Sequence, residues 1–325
     1  MRLNIRPIFL FIALTTLSLL VNSAHSWAME TAEPKKPTDN TSSSAPKSTE
    51  ADTNTEASTA PTKSTEDSQQ NKVMIKAPVD AFEQQQQDIK HYLAQEKIDP
   101  LLVGPDSYLT VIHEHTTAIN KGVMVLIPDW QQSIATPNAL NQLSNNMPQH
   151  GWTTITLHPP HKPQSYPSQA FTAQERSSEN IETLTNYEKK FADVMQALIT
   201  KAKSYPGVII VVAEGNHSAV LLNIYQQALV DAPSALIMLS SYMPTLSAND
   251  KIAQQLAATD YPILDLYLKR DHYLVLANAK MRQDFAKKAM KVYYRQRQLS
   301  NQATGYYPKQ TLTKAIISWL SAMGW

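Results

Sequence analysis

Residues able to do chemistry gather at a few points in this chain. A serine and a histidine stand together in Ala213-Glu214-Gly215-Asn216-His217-Ser218-Ala219, and Asp271-His272 supplies an acid beside a base. Hydroxyl, imidazole and carboxylate are the parts of nucleophilic acyl transfer, so Ser218, Asp271 and His272 are the candidates if the chain is a hydrolase. There are nine histidines and no cysteine. The lack of cysteine excludes disulfides, thiolate metal sites and a thiol nucleophile. His113 and His115 alternate along a predicted strand and so share one side, but two imidazoles without a third ligand do not make a metal site. His158 and His161 flank two prolines after another strand. Only seven glycines occur in the chain, which leaves little room for a glycine-rich phosphate loop. The residues point to neither a metal nor a cofactor.

Positioning such groups requires a scaffold, and from residue 122 the pattern alternates short apolar runs with longer helical segments. Continuous β-branched and aliphatic runs at 122–128, 152–157, 207–212, 235–239 and 262–268 read as strands buried on both faces of a parallel sheet. Helices are predicted at 137–149, 179–205, 217–230 and 310–323, with an edge strand at 108–112. A leading helix falls within 77–97. Strands alternating with helices give an α/β class, a three-layer fold around a mainly parallel sheet. The aromatic residues Tyr92, Trp152, Tyr225 and Trp319 are assigned to the core. In open α/β sheets ligands bind beyond the carboxyl ends of the strands. Asp129, Trp130, His158, His161, Glu214, Gly215, Asn216 and His217 fall there, with Asp271, and are expected to rim one crevice.

The chain has 325 residues with 29 basic against 28 acidic side chains, a balance that speaks against a nucleic-acid partner. Arg2 and Arg6 precede an apolar run at 8–21, and small residues stand at Ser26 and Ala28. This is the layout of a secretory signal cleaved after Ala28, and the run is shorter than the ~20 apolar residues of a spanning helix. The expected product is periplasmic or secreted. It is not a lipoprotein, which needs a cysteine at the cleavage point, and it has no transmembrane span once mature. Residues 29–75 are Thr, Ser, Glu, Lys, Pro and Ala with almost no large apolar side chain, the composition of a disordered linker. Residues 76–325 then form the folded domain.

Three phrases carry a family resemblance: Gly122-Val-Met-Val-Leu-Ile-Pro128-Asp129-Trp130, Met147-Pro-Gln-His-Gly151-Trp152-Thr, and the strand-turn-helix around Gly215. With the order of elements, they resemble the α/β-hydrolase clan, and within it the uncharacterised family called domain of unknown function 3530. The likeness spans about residues 77–325. It implies a nucleophile on a sharp strand-to-helix turn written G-x-S-x-G. Aligned on the small residues, this chain reads Ala213-x-Gly215-x-His217 and places glycine at the nucleophile. The other register places Ser218 there, but puts Val220 and Asn216 where the turn wants small residues. The resemblance places the acid at Asp271, after the strand 262–268. It places the histidine in the loop before the last helix, where this chain has Tyr306 and Tyr307. The clan's His-Gly after the first core strand is here Pro128-Asp129.

The expectation is therefore an exported α/β-hydrolase-like protein without a complete Ser-His-Asp triad. It would bind an unknown small molecule or envelope protein through the crevice. Two alternatives stand beside it: an active serine esterase or peptidase using Ser218, and an envelope-associated structural protein.

Overall fold

The computed structural model describes residues 77–325, so the predicted signal peptide and linker lie outside the described residues. Its centre is an eight-stranded sheet. The strands are β1 (Ile98–Val103), β2 (Asp106–His113), β3 (Gly122–Ile127), β4 (Trp152–Leu157), β5 (Val208–Glu214), β6 (Ala235–Leu239), β7 (Ile263–Leu268) and β8 (Tyr294–Leu299). Their order across the sheet is β1-β2-β4-β3-β5-β6-β7-β8. β2 runs antiparallel to both β1 and β4, and every pairing from β4 through β8 is parallel. Among the described residues seven α-helices flank the sheet: α1 (Ala81–Tyr92), α2 (Ala139–Asn146), α3 (Ala173–Ala202), α4 (Gly215–Gln226), α5 (Leu246–Ala257), α6 (Tyr273–Lys288) and α7 (Lys309–Ala322). The fold is a three-layer, α/β-hydrolase-like one.

Period-two alternation divides each central strand between two cores. Val123, Val125 and Ile127 of β3 face Phe191, Met195 and Leu198 of α3 together with Leu221 and Ile224 of α4. Met124 and Leu126 face the opposite way, against Leu140 and Leu143 of α2 and Ile316 and Trp319 of α7. All six residues of β3, and all six of β4, are buried. This is why they read as unbroken apolar runs, or in β4 as Trp-Thr-Thr-Ile-Thr-Leu, rather than as alternating patterns. Among the described residues no helix is long and apolar enough to cross a membrane.

Three expectations about elements are corrected. The strand around Tyr108–Ile112 is not the edge, because β1 pairs along its outer side. β8 was not foreseen, since Tyr-Arg-Gln-Arg-Gln-Leu has no apolar run. Its inward residues Tyr294 and Gln296 instead bond Asp265 at 2.8 and 2.9 Å. That carboxylate is fully buried and held by Arg282, itself buried, at 2.8 Å. Tyr92 is 70% exposed rather than core, because α1 turns Ile89 inward instead; Trp152, Tyr225 and Trp319 are buried.

Candidate functional site

β5 passes into α4 without an intervening loop: Glu214 ends the strand and caps the helix, and Gly215 is the first helical residue. Gly215 has φ +55°, a left-handed value that glycine adopts without penalty. A side chain here would also displace a neighbour. A Cβ built at Gly215 would lie 2.4 Å from Cγ of Asp129 and 2.5 and 2.6 Å from its two carboxyl oxygens. Asp129, in the loop after β3, thus lays its carboxyl group over the turn. Its Oδ1 accepts the backbone N–H of Asn216 at 2.8 Å. Free N–H groups at a helix N-terminus attract anions, and here an internal carboxylate takes that place.

Burial raises the carboxyl group of Asp129 to a pKa of about 6, opposed by the Asn216 N–H. Glu214 is raised to about 8, chiefly by burial and then by the charge of Asp129. One oxygen of Glu214 accepts from Gln132 Nε2 at 3.3 Å, and the other has no partner. Ser218 sits one turn into α4, fully buried, and donates to the Gly215 carbonyl at 2.6 Å. That is the back-bonding of a helical serine.

Asp271 and Tyr307, which the resemblance sets at the acid and base positions, are linked through Ser240 and not to Ser218. Asp271 accepts from the N–H of Leu268 and of His272, each at 2.8 Å, and from the hydroxyl of Ser240 at 2.6 Å. Ser240 follows β6 with φ 48° and is also 2.6 Å from the hydroxyl of Tyr307. Tyr307 donates to the Leu266 carbonyl at 3.1 Å. Burial, with the charge of Asp271 behind it, pushes this phenol well above its ordinary pKa, so it does not serve as a base near neutral pH. Tyr306 is exposed. His272 caps α6, accepting from Leu274 N–H at 3.4 Å, and stacks on Tyr242 with ring centroids 4.4 Å apart.

A model of the family described as "Protein of unknown function (DUF3530)" matches residues 8–322. The chain belongs to that family. Among curated proteins none matches it. Solved structures resemble the DUF3530 chain at low identity. TT1662 from Thermus thermophilus is 11% identical, with a TM-score of 0.48, covering 69% of this chain and 96% of that one. Est1E from Butyrivibrio proteoclasticus is 8% identical, TM-score 0.49, covering 69% and 99%. Thermogutta terrifontis esterase 2, phosphoramylated by tabun, is 9% identical, TM-score 0.46, covering 71% and 97%.

The single crevice expected for this DUF3530 chain divides. Asp129, Glu214, Gly215 and Asn216 do come together at the turn, and the charge of Asp271 reaches Glu214. Three other predicted rim residues are buried instead. His217 has no exposed surface. Its Nδ1 donates to the Pro128 carbonyl at 2.5 Å and its Nε2 lies 2.6 Å from the hydroxyl of Tyr187, while burial lowers its pKa to about 4. Trp130 packs edge-on against Tyr166, Tyr187 and His217. His158 is 1% exposed, with neither ring nitrogen hydrogen-bonded and its pKa lowered to about 4 by burial. It stacks on Phe82 of α1 at 4.7 Å. His161 keeps an exposed side and bonds Gln85 of α1 at 3.1 Å. His113 pairs with Ser144 at 2.7 Å and His115 with Thr153 at 3.3 Å. Among the described residues no group of three or more His, Asp or Glu is placed to hold a metal ion.

A cavity of about 630 Å³, lined by no residue of the turn, lies between α1, β2, the loop after β4 and α3. Tyr187 and Lys190 of α3 and Phe82 of α1 line it, and sequence reasoning missed them. The available signal was the spacing of Thr183, Asn186, Tyr187 and Lys190 at i, i+3, i+4 and i+7, a single helical face.

Proposed function

We propose that this exported DUF3530 protein is a non-catalytic α/β-hydrolase-like protein that acts as a binding module. The reading rests on one observation: the carboxyl group of Asp129 fills the space over Gly215 and engages the Asn216 N–H. Acyl transfer at such a turn needs a hydroxyl there and free N–H groups to receive the developing oxyanion. Neither is on offer, because the turn carries no side chain and the amide already holds a carboxylate. Export is argued from Arg2, Arg6, the apolar run at 8–21 and the small residues Ser26 and Ala28.

The test is a chromogenic ester screen on the purified mature protein and on Ser218→Ala. The expected result is no turnover above buffer by either protein. Turnover by the native protein that Ser218→Ala abolishes would overturn the proposal in favour of a serine hydrolase. The substitution itself removes one buried hydroxyl whose bond is local to the helix, and should cost about 1 kcal/mol or less of stability.

A further inference from the structure

We propose that the cavity between α1 and α3 is a binding site for a neutral, hydroxyl-rich ring compound, a short uncharged oligosaccharide. This assignment deepens the binding-module reading and rests on it.

The cavity's volume, about 630 Å³, falls within the range of small-molecule sites. Its apolar walls come from three separate elements: Phe82 of α1, Tyr108 of β2, and Pro160 and Pro163 after β4. Such walls suit the C–H face of a ring.

The polar lining is of a different kind. Thr183, Asn186, Tyr187 and Lys190 form one face of α3, and three of these four are polar side chains turned to the opening rather than apolar ones turned to a core. Lys190 lies 2.9 Å from Asp106, so the two charges at the mouth neutralise each other. Burial lowers the pKa of His161 and keeps it uncharged near neutral pH. An ionic ligand therefore meets no uncompensated partner. A ligand whose groups both donate and accept finds partners of both kinds. Lys190 donates, Asp106 accepts, and the Asn186 amide and the hydroxyls of Thr183 and Ser165 do both.

Behind this wall stands His158, buried, with both ring nitrogens unpartnered. Buried polar groups are normally satisfied, and exceptions mark strain or function. The Phe82 ring that covers His158 also lines the cavity, so the same side chain bounds both.

The experiment is calorimetric titration of the mature protein with cellobiose, maltose and N,N′-diacetylchitobiose. A glucuronate-containing disaccharide and a proline-rich peptide serve as probes of other classes. At least one neutral sugar should bind, and Asn186→Ala and Lys190→Ala should each weaken it about fivefold to tenfold. Both residues are exposed, so folding is retained, as circular dichroism checks. Lys189→Ala, on an exposed neighbour outside the cavity, should bind as the native protein does. The assignment is overturned if none of the three sugars binds, if Asn186→Ala and Lys190→Ala leave binding unchanged, or if only the charged sugar or the peptide binds. Ester turnover would count against the non-catalytic reading, whereas these titrations judge the cavity alone.

Discussion

Replacing Gly215 with serine restores the missing hydroxyl in formula and should damage the fold instead. Two costs add. A non-glycine residue at φ +55° is strained by about 1–2 kcal/mol. The new Cβ would also stand 2.4–2.6 Å from the Asp129 carboxyl group, so that group must leave. Leaving forfeits the 2.8 Å bond from Asn216 N–H, worth about 1.5–3 kcal/mol for a charged acceptor. Gly215→Ser should therefore cost about 3–4 kcal/mol and lower Tm by about 10 °C for a domain of this size. In an Asp129→Ala background the clash is absent and only the strain remains, about 1–2 kcal/mol. Thermal or urea unfolding of the four proteins completes a double-mutant cycle. A coupling near 2 kcal/mol is expected. Equal penalties for Gly215→Ser in both backgrounds would refute the reasoning, since the carboxyl group would then not occupy the turn.

Two further outcomes follow from buried charge. Asp129 and Glu214 are raised in the fold to about 6 and about 8, so the folded chain holds protons that the unfolded chain releases near pH 4. His158 and His217, lowered to about 4, act in the opposite sense below about pH 6.5, so the fall in stability should show as the pH rises from about 6.5 to about 8; Glu214→Gln should flatten that decline, and urea midpoints across the range measure it. A native profile rising between about 6.5 and about 8 would contradict the burial of Glu214. Arg282→Met leaves Asp265 buried without its 2.8 Å partner and should cost about 3–5 kcal/mol in chemical denaturation. A loss below about 1 kcal/mol would mean that Tyr294 and Gln296 suffice to hold the carboxylate.

The parallel centre of the sheet was legible because burial on both faces leaves an uninterrupted apolar run, as in β3. The glycine at the turn was legible too, from the small residues around it. β8 was not, because its inner face meets a buried carboxylate and so reads as polar. The burial of His217 was equally hidden. Ten of the first eleven residues of α4 are buried, all but Asn223, so the helix shows no polar face that would have marked which side chains reach solvent. The placement of Asp129 over Gly215 joins residues 86 positions apart, as the numbering shows, and no local pattern encodes such a meeting. Phe82 and Lys190 belong to the same class: each lies in an ordinary amphipathic helix and acquires its setting from the packing of α1 and α3 across β2.

The hydroxyl of Ser240 ties Asp271 to Tyr307, and Asp271 also holds two backbone amides. Asp271 is thus a rivet between the end of β7, the chain after β6 and the approach to α7. Its loss would loosen three segments at once. A screen that scores only catalysis would overlook such damage, while a protease would find it.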